Sequence, residues 1–182
     1  MSHWVLPREA VIDGQRYPIH WDYREILEII SYLDNPDLPE FLRWKIGVGL
    51  FFEGQPPDEQ AMAYLAWFLS CGEEPAAGVK LLDWEQDGAV IVAEVNKVAG
   101  MEIRDVPRLH WWTFLSYFHA IGQGQLSTLV AIRDKLHRGK KLEPWEQEFY
   151  RNNKAKVDLR KRYSREELAE RERLRKLLDG EL

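Results

Sequence analysis

Hydrophobic and polar positions in this chain alternate only near its start; afterwards the apolar residues recur at three and four. Val11-Ile12 and Arg16-Tyr17 flank Asp13-Gly14. Asp-Gly readily takes the positive φ that a two-residue type I′ turn needs, so a β-hairpin is predicted there. Pro18, with no N–H to donate, belongs at an edge. A lone hairpin is marginal in water, so this one must lean on another element. A first helix begins near Asp22, which has capping-box spacing with Glu25, and carries Tyr23, Ile26, Ile29, Ile30 and Leu33 on one face until Asn35-Pro36 stops it. A second begins around Pro39. Its apolar residues Phe41, Leu42, Ile46, Val48, Leu50, Phe51 and Phe52 cover more than one face, and Gly47 and Gly49 suggest that another helix approaches closely.

A third helix follows Pro57, with Asp58 and Glu59 at its positive N-terminal end, a face of Met62, Leu65, Ala66 and Leu69, Trp67 and Phe68 beside it, and Gly72 as its cap. A polar turn from Glu73 to Gly78 leads to a fourth, in which Trp84, Ile91, Val95 and Val98 recur at helical spacing before Gly100. The fifth, from Pro107 to Ile121, is apolar nearly all round, which marks a helix central to a bundle. Trp111, Leu115 and Phe118 line one side of it, and Trp112, Phe114, Tyr117 and Ile121 cover the rest. A sixth uses Leu126, Leu129, Ile132 and Leu136 and stops at Gly139. From Pro144 charge dominates, with Trp145, Phe149 and Tyr150 as the last strong apolar group. Ser164 and Glu167 form another capping box ahead of a thin stripe of Leu168, Leu174, Leu177 and Leu178, which Gly180 would end. The expected fold is mainly α: residues 1–142 form a compact bundle of about six helices with an N-terminal β-hairpin, and 143–182 a charged helical extension.

Composition sharpens this picture. Eight tryptophans among 182 residues can build a core without staples, and the single cysteine, Cys71, excludes an internal disulfide. No apolar run approaches the ~20 residues that span a bilayer. Met1-Ser2-His3-Trp4 lacks the basic and apolar stretches of a secretory signal, so the cytoplasm is the expected location. The net charge of -5 is unevenly placed: residues 1–132 hold 9 Lys/Arg and 19 Asp/Glu (-10), residues 133–182 hold 16 and 11 (+5).

Reactive chemistry is not apparent. His3, His20, His110, His119 and His137 form no zinc motif, and His110 and His119, nine apart, fall on opposite faces of one helix. Gly122-Gln-Gly124 lacks the rest of a dinucleotide loop; position 134 is Asp where a phosphate loop ending in Gly139-Lys140-Lys141 would need glycine. Cys71 lies near a helix C-terminus, which opposes thiolate formation. No enzyme, metal or cofactor is expected. The run Arg151, Lys154, Lys156, Arg160, Lys161, Arg162 and Arg165 could meet phosphates, although Glu166, Glu167, Glu170 and Glu172 adjoin it.

Several strings resemble the bacteriophage gene-product-fifteen family: Tyr17-Pro18-Ile19, Asp22 to Leu27, Leu50-Phe51-Phe52, Asp83-Trp84-Glu85-Gln86-Asp87 and Leu109-His110-Trp111-Trp112-Thr113-Phe114. The resemblance runs from about residue 11 to 165. It implies an all-helical phage or prophage protein of the tail-assembly gene cluster, acting as a chaperone or adaptor for a tail protein, with the long helical tape-measure protein as the foremost partner. Under that reading the candidate contact residues are Trp111, Trp112, Phe114 and Phe118 and the cations Arg160, Lys161 and Arg162, although aromatic residues on a helix are core more often than interface. A nucleic-acid-binding phage protein using the basic segment 133–165 and a structural virion component are the alternatives.

Overall fold

The computed structural model describes residues 4–73 and 78–178, and within them it has eight α-helices and one antiparallel β-hairpin. No helix among the described residues is long and apolar enough to cross a membrane. The chain divides into two compact units, one holding residues 7–66 and 161–182, the other 67–160 with the N-terminal residues to Leu6.

In the first unit β1 (Glu9–Ile12) pairs with β2 (Gln15–Pro18), and Asp13 and Gly14 take φ 50° and 78°, the two positive values a type I′ turn demands. Ala10 and Ile12 point inward and Val11 outward. The hairpin leans on the segment after the second helix: His20 donates its N–H to Phe51 O at 2.8 Å, and Glu53 donates to Pro18 O at 2.9 Å. Helix α1 (Tyr23–Leu33) has the expected capping box, with Arg24 N–H donating to Asp22 Oδ1 (3.0 Å) and Asp22 N–H to Glu25 Oε2 (3.3 Å). It buries Tyr23, Ile26 and Ile29 against α2 (Glu40–Phe51). At Gly47 the expected close approach is present: a Cβ there would lie 3.1 Å from Leu33 Cδ2 and 3.5 Å from Leu65 Cδ2. Gly49 differs, because no atom lies within 4 Å of a Cβ built on it.

Helix α3 (Asp58–Leu69) is rotated from its expected face. Ala61, Leu65 and Phe68 are fully buried and Met62 is exposed, because the inward stripe starts one residue earlier. Its end is a Schellman turn in which Cys71 N–H donates to Phe68 O and Gly72 N–H to Trp67 O, so Cys71 shares the left-handed conformation (φ 56°) with Gly72 (φ 83°). The same unit receives α8 (Arg165–Leu178). Ser164 and Glu167 cap it reciprocally at 3.1 and 2.8 Å, and Arg165 N–H donates to Asp37 Oδ1. The stripe expected along it is visible only at Leu168, which is half exposed; the side chains of Leu174, Leu177 and Leu178, and Gly180, lie outside the described residues, as do His3 and most of the polar turn between Glu73 and Gly78.

The second unit is built from α4 (Gly88–Ala99), α5 (Trp111–His119), α6 (Gln125–His137) and α7 (Pro144–Val157). Helix α4 starts later than Trp84, since Asp83 accepts from the N–H groups of Glu85 and Gln86 at 3.0 and 2.9 Å and holds residues 83–87 in a turn. Helix α5 is likewise shorter at both ends than its apolar run: the His110 ring caps it, Nδ1 accepting from Trp112 N–H at 3.1 Å. Leu129 and Ile132 of α6 pack with Leu142 and Val157, flanked by Phe149 and Tyr150 of α7, so the boundary expected at 142/143 falls within a packed pair of helices.

One charged side chain holds this unit together. The guanidinium of Arg133 is buried and makes five hydrogen bonds: Nε–H to Val157 O (2.8 Å), Nη1 to Leu81 O (3.0 Å) and Asp87 Oδ2 (2.7 Å), and Nη2 to Asp87 Oδ1 (2.8 Å) and Lys156 O (2.6 Å). These match the five N–H donors an arginine possesses. Nearby, buried Glu146 accepts from Lys135 Nζ at 2.7 Å and from Glu143 N–H at 2.8 Å, and these bonds hold its carboxyl below the usual carboxylate range.

Two outcomes follow. Arg133→Met leaves Asp87 buried and unpaired, and urea unfolding followed by circular dichroism is expected to show a loss of about 3–5 kcal/mol; a loss under about 1 kcal/mol would contradict the clamp. The Glu146 bonds contribute stability above the ordinary glutamate value of about 4.3, and that contribution drains away as pH falls through its lower folded value. Denaturation midpoints measured down the acid limb should therefore decline less steeply in Glu146→Gln than in the parent chain.

Candidate functional site

Three of the four aromatic residues expected to meet a partner, Trp111, Trp112 and Phe114, are placed in the core, and the fourth, Phe118, is half-buried. Trp111 and Phe114 are almost wholly buried and stack with ring centroids 5.5 Å apart. Trp84 meets Trp111 edge-on at 5.7 Å and lies 5.1 Å from Phe118, which is half-buried. Trp112 packs on Phe68 and Trp67. Both indole N–H groups are used internally: Trp111 Nε1 donates to Leu69 O at 3.1 Å and Trp112 Nε1 to Phe68 O at 2.9 Å, satisfying the last-turn carbonyls of α3. An indole buried with its N–H bonded is a packing element, and Trp111, Trp112 and Phe114 offer a partner little surface.

The candidate cations are exposed. Arg160 is anchored through its backbone, its N–H donating to Gln86 Oε1 at 2.8 Å while Gln86 Nε2 donates to Asp158 O at 2.9 Å. Its side chain, with those of Arg151, Lys154 and Lys156, faces solvent in the 67–160 unit; Lys161 and Arg162 are exposed in the other. Among the described residues no group of three or more His, Cys, Asp or Glu is arranged to hold a metal.

An apolar cleft on α2 was not picked out by the sequence, which showed only that the apolar residues of that helix cover more than one face. That helix turns Gly47 and Phe51 toward α1. About a quarter of a turn around from Gly47, Phe41, Trp44 and Val48 form a second stripe at spacings of three and four, with Lys45 at its edge. They line one wall of a cleft of about 800 Å³, whose other wall is Gly54, Gln55 and Pro56 of the connecting segment and Asp58 and Met62 of α3. Phe41 is 70% exposed, the largest exposure of any phenylalanine there, and Met62 is exposed beside it. Gly49 lies in the floor with open space above it, so the backbone is accessible to a ligand at that point. Glu40, Lys45 and Asp58 supply the charged rim. The stripe spans seven residues, about 10 Å of helix, the length over which a bound helix would place anchors at i, i+3 or i+4, and i+7. Such a cleft can bury apolar side chains; it brings together no nucleophile, base and orienting group.

Cys71 stands apart from the cleft and is chemically quiet. Burial first, and the Glu73 carboxylate second, push its thiol up to about 11. At pH 8 roughly one molecule in a thousand then carries thiolate, against about one in four for a free cysteine. Alkylation by iodoacetamide is expected to be correspondingly slow at pH 8 and to accelerate toward pH 11, with Glu73→Gln giving only partial relief because burial is the larger cause. Ready labelling of the folded chain at pH 8 would contradict this placement.

Compared with known proteins, the chain matches the family model described as Bacteriophage Gp15 protein over residues 5–159. That span covers the hairpin and α1 to α7, and stops before α8. No curated protein and no solved structure matches it.

Proposed function

The chain belongs to the bacteriophage Gp15 protein family, and from that premise we propose that this phage protein is a tail-assembly chaperone or adaptor that holds a helical segment of another tail protein in the α2 cleft. The observation that carries the reading is the stripe of exposed Phe41 with half-buried Trp44 and Val48, facing exposed Met62 across a cleft, while Trp111, Trp112 and Phe114 are spent on the core. Contiguous exposed apolar surface on a folded chain marks an interaction site more often than scattered single residues do. A long helical tail component such as the tape-measure protein presents repeated apolar faces that need covering before assembly, and a groove lined at helical spacing is suited to cover one.

The basic surface supports a second reading. Arg151, Lys154, Lys156 and Arg160 are exposed on one unit, and phosphate binding there would show as affinity falling steeply with salt.

Co-expression with the tape-measure protein of the same phage genome, followed by pull-down, tests the main reading. A stable complex is expected. Phe41→Asp should weaken it by at least about tenfold, since a buried anchor is worth about 2 kcal/mol or more at an interface, while leaving thermal unfolding nearly unchanged because Phe41 is exposed in the free chain. Failure to form any complex from low to high salt would overturn the proposal. Fluorescence anisotropy with labelled DNA at low salt decides the second reading, which falls if no binding is seen.

A further inference from the structure

We infer that the α2 cleft selects a cationic amphipathic helix: a segment with apolar anchors at i, i+3 or i+4, and i+7, flanked by Lys or Arg. This deepens the proposed function and rests on the cleft being the docking site. Three observations carry it. The rim has two carboxylates, Glu40 and Asp58, against one ammonium, Lys45. The unit that carries the cleft is acidic, with a net charge of -5: its residues 161–182 hold 7 Lys/Arg and 6 Asp/Glu, and the segment 7–66 that forms the cleft holds 11 Asp/Glu and 5 Lys/Arg. The other four cations of that segment are committed elsewhere. Arg16 pairs with Glu9, Arg24 with Asp22, Arg43 donates to Leu33 O at 3.1 Å, and Arg8 lies over the Trp21 ring at 4.7 Å.

The apolar wall and the charged rim have separate tasks. Phe41, Trp44, Val48 and Met62 can take up any apolar helix face of suitable spacing, so they set affinity without discriminating partners. Discrimination comes from the rim and from the acidic field around it, because like charges brought together on docking are penalised and opposite ones speed encounter. An anionic helix would bring its carboxylates against Glu40 and Asp58 with only Lys45 in compensation. A cationic one meets two partners and is repelled at one position.

Two fluorescein-labelled synthetic peptides test this, with identical apolar faces and either Lys or Glu at the flanking positions, titrated into the full chain by anisotropy. The Lys-flanked peptide is expected to bind about three- to tenfold tighter at low salt, the range that a few exposed charge pairs supply, and the preference should shrink as salt is raised. Glu40→Lys with Asp58→Lys should reverse the order of the two peptides, and Phe41→Asp should weaken both. Equal affinity for the two peptides overturns charge selection and leaves the docking site standing. No binding of either, or binding indifferent to Phe41→Asp, overturns the docking site as well. Sedimentation showing that the chain dimerises, and that Phe41→Asp abolishes the dimer, would assign the cleft to a second copy and overturn the cationic partner.

Discussion

The buried guanidinium of Arg133 is the interaction on which the 67–160 unit depends. Removing an ion from water is strongly unfavourable unless its charge and every donor are matched inside. Here the match is complete: the Asp87 carboxylate supplies charge, and Leu81, Lys156 and Val157 supply carbonyls. Those acceptors come from the segment before α4, from the entry to α4 and from the end of α7, while the arginine stands on α6. A single side chain therefore fixes the spacing of three helices that have little else in common in sequence. This also explains how a helix as polar as α7 belongs to a packed unit. Its apolar contribution is small, Val157 with the flanking Phe149 and Tyr150, and the clamp at its C-terminus supplies what a thin stripe cannot.

The aromatic residues divide by the same logic of satisfaction. Trp111 and Trp112 each end on a carbonyl of α3, so burying them leaves no indole N–H unmet. Phe41 has no polar atom to satisfy and could have been buried at little risk, yet it is exposed. Helix α2 cannot bury both its stripes in this arrangement. Gly47 brings the helix close to α1 and α3, which commits that face to intramolecular packing and turns the other outward.

Legibility in the sequence followed the range of the forces. The Asp13-Gly14 turn, the Asp22–Glu25 and Ser164–Glu167 boxes and the Gly100 stop were all readable, because each is decided by residues within about four positions. The start of α4 and both ends of α5 were not. Side-chain bonds of Asp83 and His110 override the apolar periodicity at the starts of α4 and α5, and a periodicity count does not see them. The face of α3 was misplaced by one residue because apolar residues on that helix outnumber the positions its neighbours can cover. Arg133 was hidden for a different reason: its partner Asp87 is 46 residues away, and among many surface charges nothing local distinguishes the one that is buried. The cleft left a trace, the apolar residues on more than one face of the second helix, but the tryptophan-rich fifth helix gave the stronger signal and drew the site assignment to itself.

That difference between the two helices has a physical basis. Aromatic density measures how much area a helix can remove from water, and a folding chain uses the densest helix first, for its own core. Surface reserved for another molecule must be tolerable in the free state, so it is found on a helix of moderate apolarity, broken by glycine and edged by charge. The cleft wall fits that description: Phe41, Trp44 and Val48 with Lys45 at their edge and Gly49 next in line, close to a connecting segment containing Gly54 and Pro56. The glycines Gly47 and Gly49 serve opposite ends. One closes a contact inside the unit, and the other leaves backbone uncovered in the floor of the cleft, where a side chain would have occupied part of the space a docked helix needs. A helix built only to fold would have gained from alanine at the second position, by about 1 kcal/mol. Glycine there is locally unfavourable for the helix, and under the proposed reading the open floor it leaves is where a docked helix would lie.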